Sequence, residues 1–207
     1  MPKPGLIYFI ASVNRSGSSW LCALLRSTGV VGEPRELLRQ PRENFGDRIA
    51  QDVCCVKAQL PLMRRLWRTL DQRHRDAAKF LYLRRQDTLR QAISLYRARQ
   101  TGIWHLRLDR GALQDREHKH QAAPFDCRAI LRKKRQVEAH YARWEAWFRK
   151  QDLRPLRVTY EQLCESPTDV VHDITAFLGR PYRGQISDYT KIMRDEITEQ
   201  WVDKLER

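Results

Sequence analysis

The sequence predicts an α/β fold, a central parallel sheet with helices packed on its faces. Three observations carry that expectation. Residues Leu6–Ser12 form an unbroken apolar run with β-branched and aromatic members, the pattern of a strand buried on both sides. Later runs of the same kind alternate with segments whose apolar residues recur at helical spacing, as strands and crossover helices of a parallel sheet do. Between the first strand and the first helix lies Val13-Asn14-Arg15-Ser16-Gly17-Ser18-Ser19, small and polar around one cation.

Taken in order, Trp20–Arg26 continues as a helix, and Gly29 stands where a left-handed residue ends it. Val53–Ala58 reads as the second strand. Leu62, Met63, Leu66, Trp67 and Leu70 follow at helical spacing behind Pro61, a first-turn proline, and belong to the core. Lys79–Arg85 is the third strand, and Asp87 caps the next helix. That helix has Leu89, Ala92, Ile93 and Tyr96 as its apolar face and ends at Gly102. Asp126 caps a long helix with the core-facing stripe Ile130, Val137, Tyr141, Trp144 and Phe148. Leu156, Val158 and Tyr160 alternate as in a strand. Ser166-Pro167 opens a helix whose buried face is Val170, Val171, Ile174, Phe177 and Leu178, and Gly179 stops it. An amphipathic helix carrying Trp201 and Val202 lies within 192–205. With no internal repeat and no low-complexity linker, residues 1–207 are expected to form one domain.

The loop at 13–19 has the parts of an anion site. Ser16, Gly17, Ser18 and Ser19 carry no bulk, so backbone can approach a ligand, and their N–H groups lie at a helix N-terminus, where unpaired donors and the helix dipole favour negative charge. Three hydroxyls and the Arg15 guanidinium add donors. An ordinary N-cap is the competing explanation. The loop is not a Walker A sequence, which needs a Lys after its second Gly; here the cation precedes Gly17. Just beyond the first helix, Gly32-Glu33-Pro34-Arg35-Glu36 puts two carboxylates in a loop. Loops past the C-terminal ends of parallel strands line the site of an open α/β sheet, so a carboxylate here can act as a general base, or merely form a surface ion pair.

Composition narrows the partners. The chain has 39 Lys+Arg against 25 Asp+Glu, a formal net charge of +14, which favours an anionic partner or else a solvated Arg-rich surface. No apolar run approaches the roughly 20 residues of a membrane span. Met1–Gly5 runs directly into the first strand, which leaves no room for a signal peptide, and five Cys without a C-x-x-C pattern fit reduced thiols in the cytoplasm.

The run Ala11-Ser12-x-x-Arg15-Ser16-Gly17-Ser18-Ser19 … Leu25-Arg26-x-Thr28-Gly29-Val30-x-Gly32-Glu33-Pro34-x-Glu36 closely resembles the bacterial trehalose 2-sulfotransferase family, and the loop itself resembles the 5′-phosphosulfate loop of sulfotransferases that use 3′-phosphoadenosine 5′-phosphosulfate (PAPS). The resemblance continues through Phe80–Arg85, Ser94 and Arg97-x-x-Gln100-Thr101-Gly102-Ile103-Trp104-His105. It implies the P-loop-like, three-layer sulfotransferase fold and sulfuryl transfer from PAPS, without a metal, to a hydroxyl of a carbohydrate or glycolipid. It also implies site residues: Glu36 as catalytic base, Arg15, Ser16, Gly17, Ser18 and Ser19 around the 5′-phosphosulfate, Arg85 and Ser94 at the 3′-phosphate, and Glu33 against the sugar. Trp104 is an acceptor-wall candidate or a core Trp. Arg194 matches a region that folds over the nucleotide in related enzymes, and family members pair as homodimers. Gln86 stands where the family often has Pro, and Arg39–Asp52 is shorter than the family's acceptor-pocket insertion. His118 and His120 near Glu117 form a charged His-x-His that suits solvent better than a metal. Two rivals of other classes are a nucleic-acid-binding module, which needs exposed aromatics on a basic face, and a P-loop nucleotide kinase, which the missing Gly-Lys-Ser/Thr disfavours.

Overall fold

The computed structural model describes residues 5–36, 45, 49, 52–104, 122–187 and 195–207. Most of Arg39–Asp52, the Glu117-His118-x-His120 cluster and Arg194 therefore lie outside the described residues.

Four parallel strands, β1 (Leu6–Ser12), β2 (Val53–Ala58), β3 (Ala78–Arg84) and β4 (Leu156–Thr159), form one sheet in the order β2-β1-β3-β4. The described helices are α1 (Ser18–Ser27), α2 (Leu60–Thr69), α3 (Gln72–Ala77), α4 (Thr88–Thr101), α5 (Cys127–Lys150), α6 (Tyr160–Glu165), α7 (Pro167–Leu178) and α8 (Glu196–Glu206). The expected three-layer α/β architecture is thus present. β1 is central and its side chains alternate between two cores. Ile7, Phe9 and Ala11 join Phe80 and Tyr82 against Met63 and Trp67 of α2 and Trp144, Trp147 and Phe148 of α5. Tyr8 and Ile10 join Leu81, Leu83 and Val158 against Leu21, Leu24 and Leu25 of α1 and Val171, Ile174 and Leu178 of α7. Aromatic rings dominate the first core: Phe80 stacks on Phe9 at 5.2 Å and meets Trp147 edge-on at 5.7 Å. Trp20, Trp67, Trp144, Trp147 and Trp201 are all buried, which removes them as the stacking platform that a nucleic-acid-binding surface needs.

β1 and β3 are neighbours, yet the helices that follow them leave toward opposite faces. α1 packs in the second core, whereas Leu95 of α4 packs in the first. Such a point, where successive connections diverge, opens a crevice at the C-terminal ends of the two strands. The loop 13–17 and the turn Arg85–Asp87 lie there. α4 is held from outside by α8: Ala92, Ile93 and Tyr96 pack with Trp201 and Val202. Fully buried Arg97 pairs with Asp195 and donates to Thr198 at 2.8 Å, while Arg90 pairs with Glu199.

Elements end where their sequence says they should, with instructive exceptions. Gly29, Gly102 and Gly179 have φ of 70°, 71° and 80° at the ends of α1, α4 and α7, and Asp87 and Asp126 cap α4 and α5 by accepting from Arg90 and Ala129 N–H. The third strand is Ala78–Arg84, one residue earlier than expected, so Arg85 sits just past it. α3 was not legible from apolar spacing because none of its residues is buried. Tyr160 is not a strand residue but the first residue of α6. The period-2 pattern stops at Thr159 because its side chain and that of Gln162 form a reciprocal capping box, a Thr-x-x-Gln signature that starts a helix. Thr159→Ala removes that cap and is expected to destabilise the protein by about 1 kcal/mol in urea unfolding.

Candidate active site

The site grows from a helix whose start is left bare. Gly17 is the N-cap of α1 with φ of 88°, and its lack of a side chain leaves the first-turn N–H groups without a side-chain cap. Arg15 is also left-handed, with φ of 65°, an uncommon choice for a residue with a Cβ. The turn closes through Ser16 N–H to Val13 C=O at 3.2 Å. A Cβ on Gly17 would come 2.6 Å from Cδ2 of Tyr160, so both the backbone angle and the neighbour require glycine.

Arg15 turns its side chain across the crevice to α4. Its Nε donates to Ser94 Oγ at 2.9 Å, and its Nη1 donates to the Trp104 carbonyl. The loop cation and the helix serine, 79 residues apart, therefore share one pocket. Arg85 enters from the end of β3. It is 8% exposed and lies over the Tyr160 ring at 4.5 Å. Burial first, then the charge of Arg85, pulls the Arg15 guanidinium down from its ordinary value to about 10. It stays a cation at neutral pH, in a place where a bound anion would offset both effects.

Two buried donors in this pocket, Ser16 Oγ and Arg85 Nε, have no hydrogen-bond partner among the described residues. Buried polar groups are normally satisfied, so each such orphan calls for an explanation. A bound anion would satisfy both. The frame around them is fully bonded: Arg85 N–H donates to Tyr141 Oη at 2.9 Å, Tyr141 Oη to Gln91 Oε1 at 2.8 Å, and Gln91 Nε2 to Asn14 C=O at 2.8 Å. Gln59 Nε2 also donates to Asn14 Oδ1, at 2.6 Å. The loop of β1 and the end of β3 are thus tied through a buried chain of side chains.

The carboxylate segment reaches the same pocket from β2. Arg35 pairs with Val56 as a parallel bridge, and Lys57 N–H donates to Arg35 C=O at 3.1 Å. That pairing fixes Glu36 so that its Oε2 is 3.4 Å from Lys57 Nζ, which donates to Ser19 Oγ at 3.3 Å. Glu33 is exposed on the same segment. Trp104 brings its carbonyl to Arg15 while its ring packs against the first core. Sequence reasoning missed Lys57, Tyr160, Gln91 and Tyr141. Lys57 left a signal, being the one charge in the apolar strand Val53-Cys54-Cys55-Val56-Lys57-Ala58.

A glycine-bearing loop at a bare helix N-terminus, the guanidinium groups of Arg15 and Arg85 and a nearby carboxylate lie close together, and comparison with known proteins names the class. The chain belongs to the Stf0 sulphotransferase family, whose profile matches residues 7–64 and 68–207. It is 25% identical to trehalose 2-sulfotransferase of Mycolicibacterium smegmatis, covering 97% of this chain and 94% of that protein. It is 23% identical to trehalose 2-sulfotransferase of Mycobacterium tuberculosis, covering 95% and 93%. The first of these alignments runs over 260 residues against a chain of 207, so the relatives carry segments that this chain lacks. Among solved structures, the sulfotransferase domain of the Synechococcus PCC 7002 olefin synthase aligns over 100% of this chain and 96% of that one, with 18% identity and a TM-score of 0.47. The sulfotransferase domain from the curacin biosynthetic pathway aligns over 98% of each chain, with 16% identity and a TM-score of 0.45. Among the described residues no helix is long and apolar enough to cross a membrane.

Gly17→Ala forces a Cβ into a left-handed residue and against Tyr160. Affinity for 3′-phosphoadenosine 5′-phosphate is expected to fall by about tenfold or more, read by calorimetry on protein whose circular dichroism is unchanged.

Proposed function

We propose that this sulfotransferase moves a sulfuryl group from PAPS to a hydroxyl of a carbohydrate or glycolipid, with Glu36 as general base. The observation that carries the donor assignment is the pair of buried donors, Ser16 Oγ and Arg85 Nε, that have no partner among the described residues, at the C-terminal edge of β1 and β3. The residues present fit PAPS, which supplies a sulfuryl group on a phosphate leaving group when bound. Arg15 and the N–H groups and hydroxyls of Ser16, Gly17, Ser18 and Ser19 would hold the 5′-phosphosulfate and stabilise the charge that builds on its oxygens. Arg85 and Ser94 would take the 3′-phosphate, the feature that separates PAPS from ATP. Arg is suited to that role because its planar fork matches a phosphate. Departure of a weakly basic phosphate gives a metal no necessary part in this reading.

Glu36 would receive the acceptor proton as the hydroxyl attacks. Its carboxylate lies one lysine away from Ser19 in the loop, which supports the assignment. Glu33 and Trp104 would flank the acceptor. The acceptor class follows the names of the trehalose 2-sulfotransferase relatives. It is drawn no more narrowly, because this chain lacks segments that they have. Free cysteines at all five positions suit a reducing, cytoplasmic setting, and the whole chain is taken as one sulfotransferase domain. The defining experiment is transfer of radiolabelled sulfate from PAPS across a panel of sugars and glycolipids; no transfer to any hydroxyl acceptor would overturn the assignment.

Glu36→Gln is expected to bind 3′-phosphoadenosine 5′-phosphate within about twofold of wild type and to lose roughly 10²–10⁴ in kcat. Turnover at the wild-type rate would remove Glu36 from this role. Arg85→Met is expected to raise the KM for PAPS about tenfold or more with a smaller change in kcat, and to erase the preference for PAPS over ATP in competition binding.

A further inference from the structure

Among the described residues, Lys57 touches both halves of the proposed chemistry. Its ammonium lies 3.4 Å from the Glu36 carboxylate and donates to Ser19 Oγ of the anion loop at 3.3 Å. Its backbone N–H holds the carbonyl of Arg35, the residue before Glu36. One residue thus fixes the backbone and the side-chain end of Glu36 together. The lysine side chain is only 15% exposed and that of Glu36 27%. A cation in so apolar a strand is costly unless paired, and here both of its partners belong to the site. Glu36, in an extended segment with three rotatable side-chain bonds, has no regular element to orient it; Lys57, in register with Ile10 of β1, does.

We propose that Lys57 is the positioning residue for the general base and its charge partner through the transfer, an inference that rests on Glu36 as base. As the bond from acceptor oxygen to sulfur forms and the bond from sulfur to the 5′-phosphate oxygen breaks, the acceptor proton passes to Glu36. The bonding pair leaves on the phosphate oxygen. Glu36 becomes neutral and loosens its hold on the ammonium.

The test is Lys57→Met, of similar length and without charge, beside Lys57→Arg, with PAPS as donor and trehalose as acceptor probe. Lys57→Met should lower kcat about 10²-fold, the scale of effect of a misplaced catalytic group. Affinity for 3′-phosphoadenosine 5′-phosphate should stay within about threefold by calorimetry, and Lys57→Arg should recover at least a tenth of wild-type kcat. The double variant Lys57→Met/Glu36→Gln should be no slower than Glu36→Gln alone, because the two act as a unit. The carbon-13 carboxyl resonance of Glu36, assigned by its loss in Glu36→Gln, should move in Lys57→Met. Wild-type kcat in Lys57→Met, additive losses in the double variant or an unmoved Glu36 resonance would overturn the proposal. If Glu36→Gln itself turns over normally, the base assignment fails instead, whatever Lys57 does.

Discussion

Two guanidinium groups brought together at the ends of β1 and β3 constrain the rest of this structure. Unit charges a few ångströms apart repel by roughly 2–4 kcal/mol at an effective dielectric of about 20, and burial adds to that cost. Arg15 and Arg85 accept both. Arg97, which also acts on Arg15, is neutralised by Asp195. The surroundings show what keeps the pair in place. Arg85 lies on the Tyr160 ring and Arg15 is tethered to Ser94 and to the Trp104 carbonyl. A bound anion would offset that repulsion.

The crevice that holds these cations is a property of chain order. Because α1 and α4 leave β1 and β3 for opposite faces, a crevice opens between the two strand ends. The buried chain from Asn14 through Gln91 and Tyr141 to Arg85 spans that gap underneath. It gives the loop and the arginine a fixed separation. Gln91 and Tyr141 are core residues by burial and site residues by consequence.

How much of this was legible in the sequence depends on the range of the interaction. β1 and β2 could be bounded to the residue because strands buried on both faces are written as continuous apolar runs, as Leu6–Ser12 and Val53–Ala58 are. The caps of α4 and α5 were legible because an N-cap bond spans only three residues. The loop Arg15–Ser19 was legible as the approach to a helix N-terminus because small polar residues stand ahead of an apolar helical stripe. By contrast, the Arg15–Ser94 bond and the Lys57–Ser19 bond join residues 79 and 38 apart, and no local pattern announces them. Tyr160 was misassigned because alternation was read past Thr159, although the capping signature was already in the next three residues.

The ion pairs of α8 bear on how the carboxyl end of this chain can be handled. Arg97 has no exposed surface, and its charge is answered by Asp195, only a dozen residues from the terminus. Trimming that tail would strand a guanidinium in the interior, a loss on the order of 3–5 kcal/mol. The damage would fall on α4, the helix that presents Ser94. The last helix is therefore a keystone for the helix that carries Ser94.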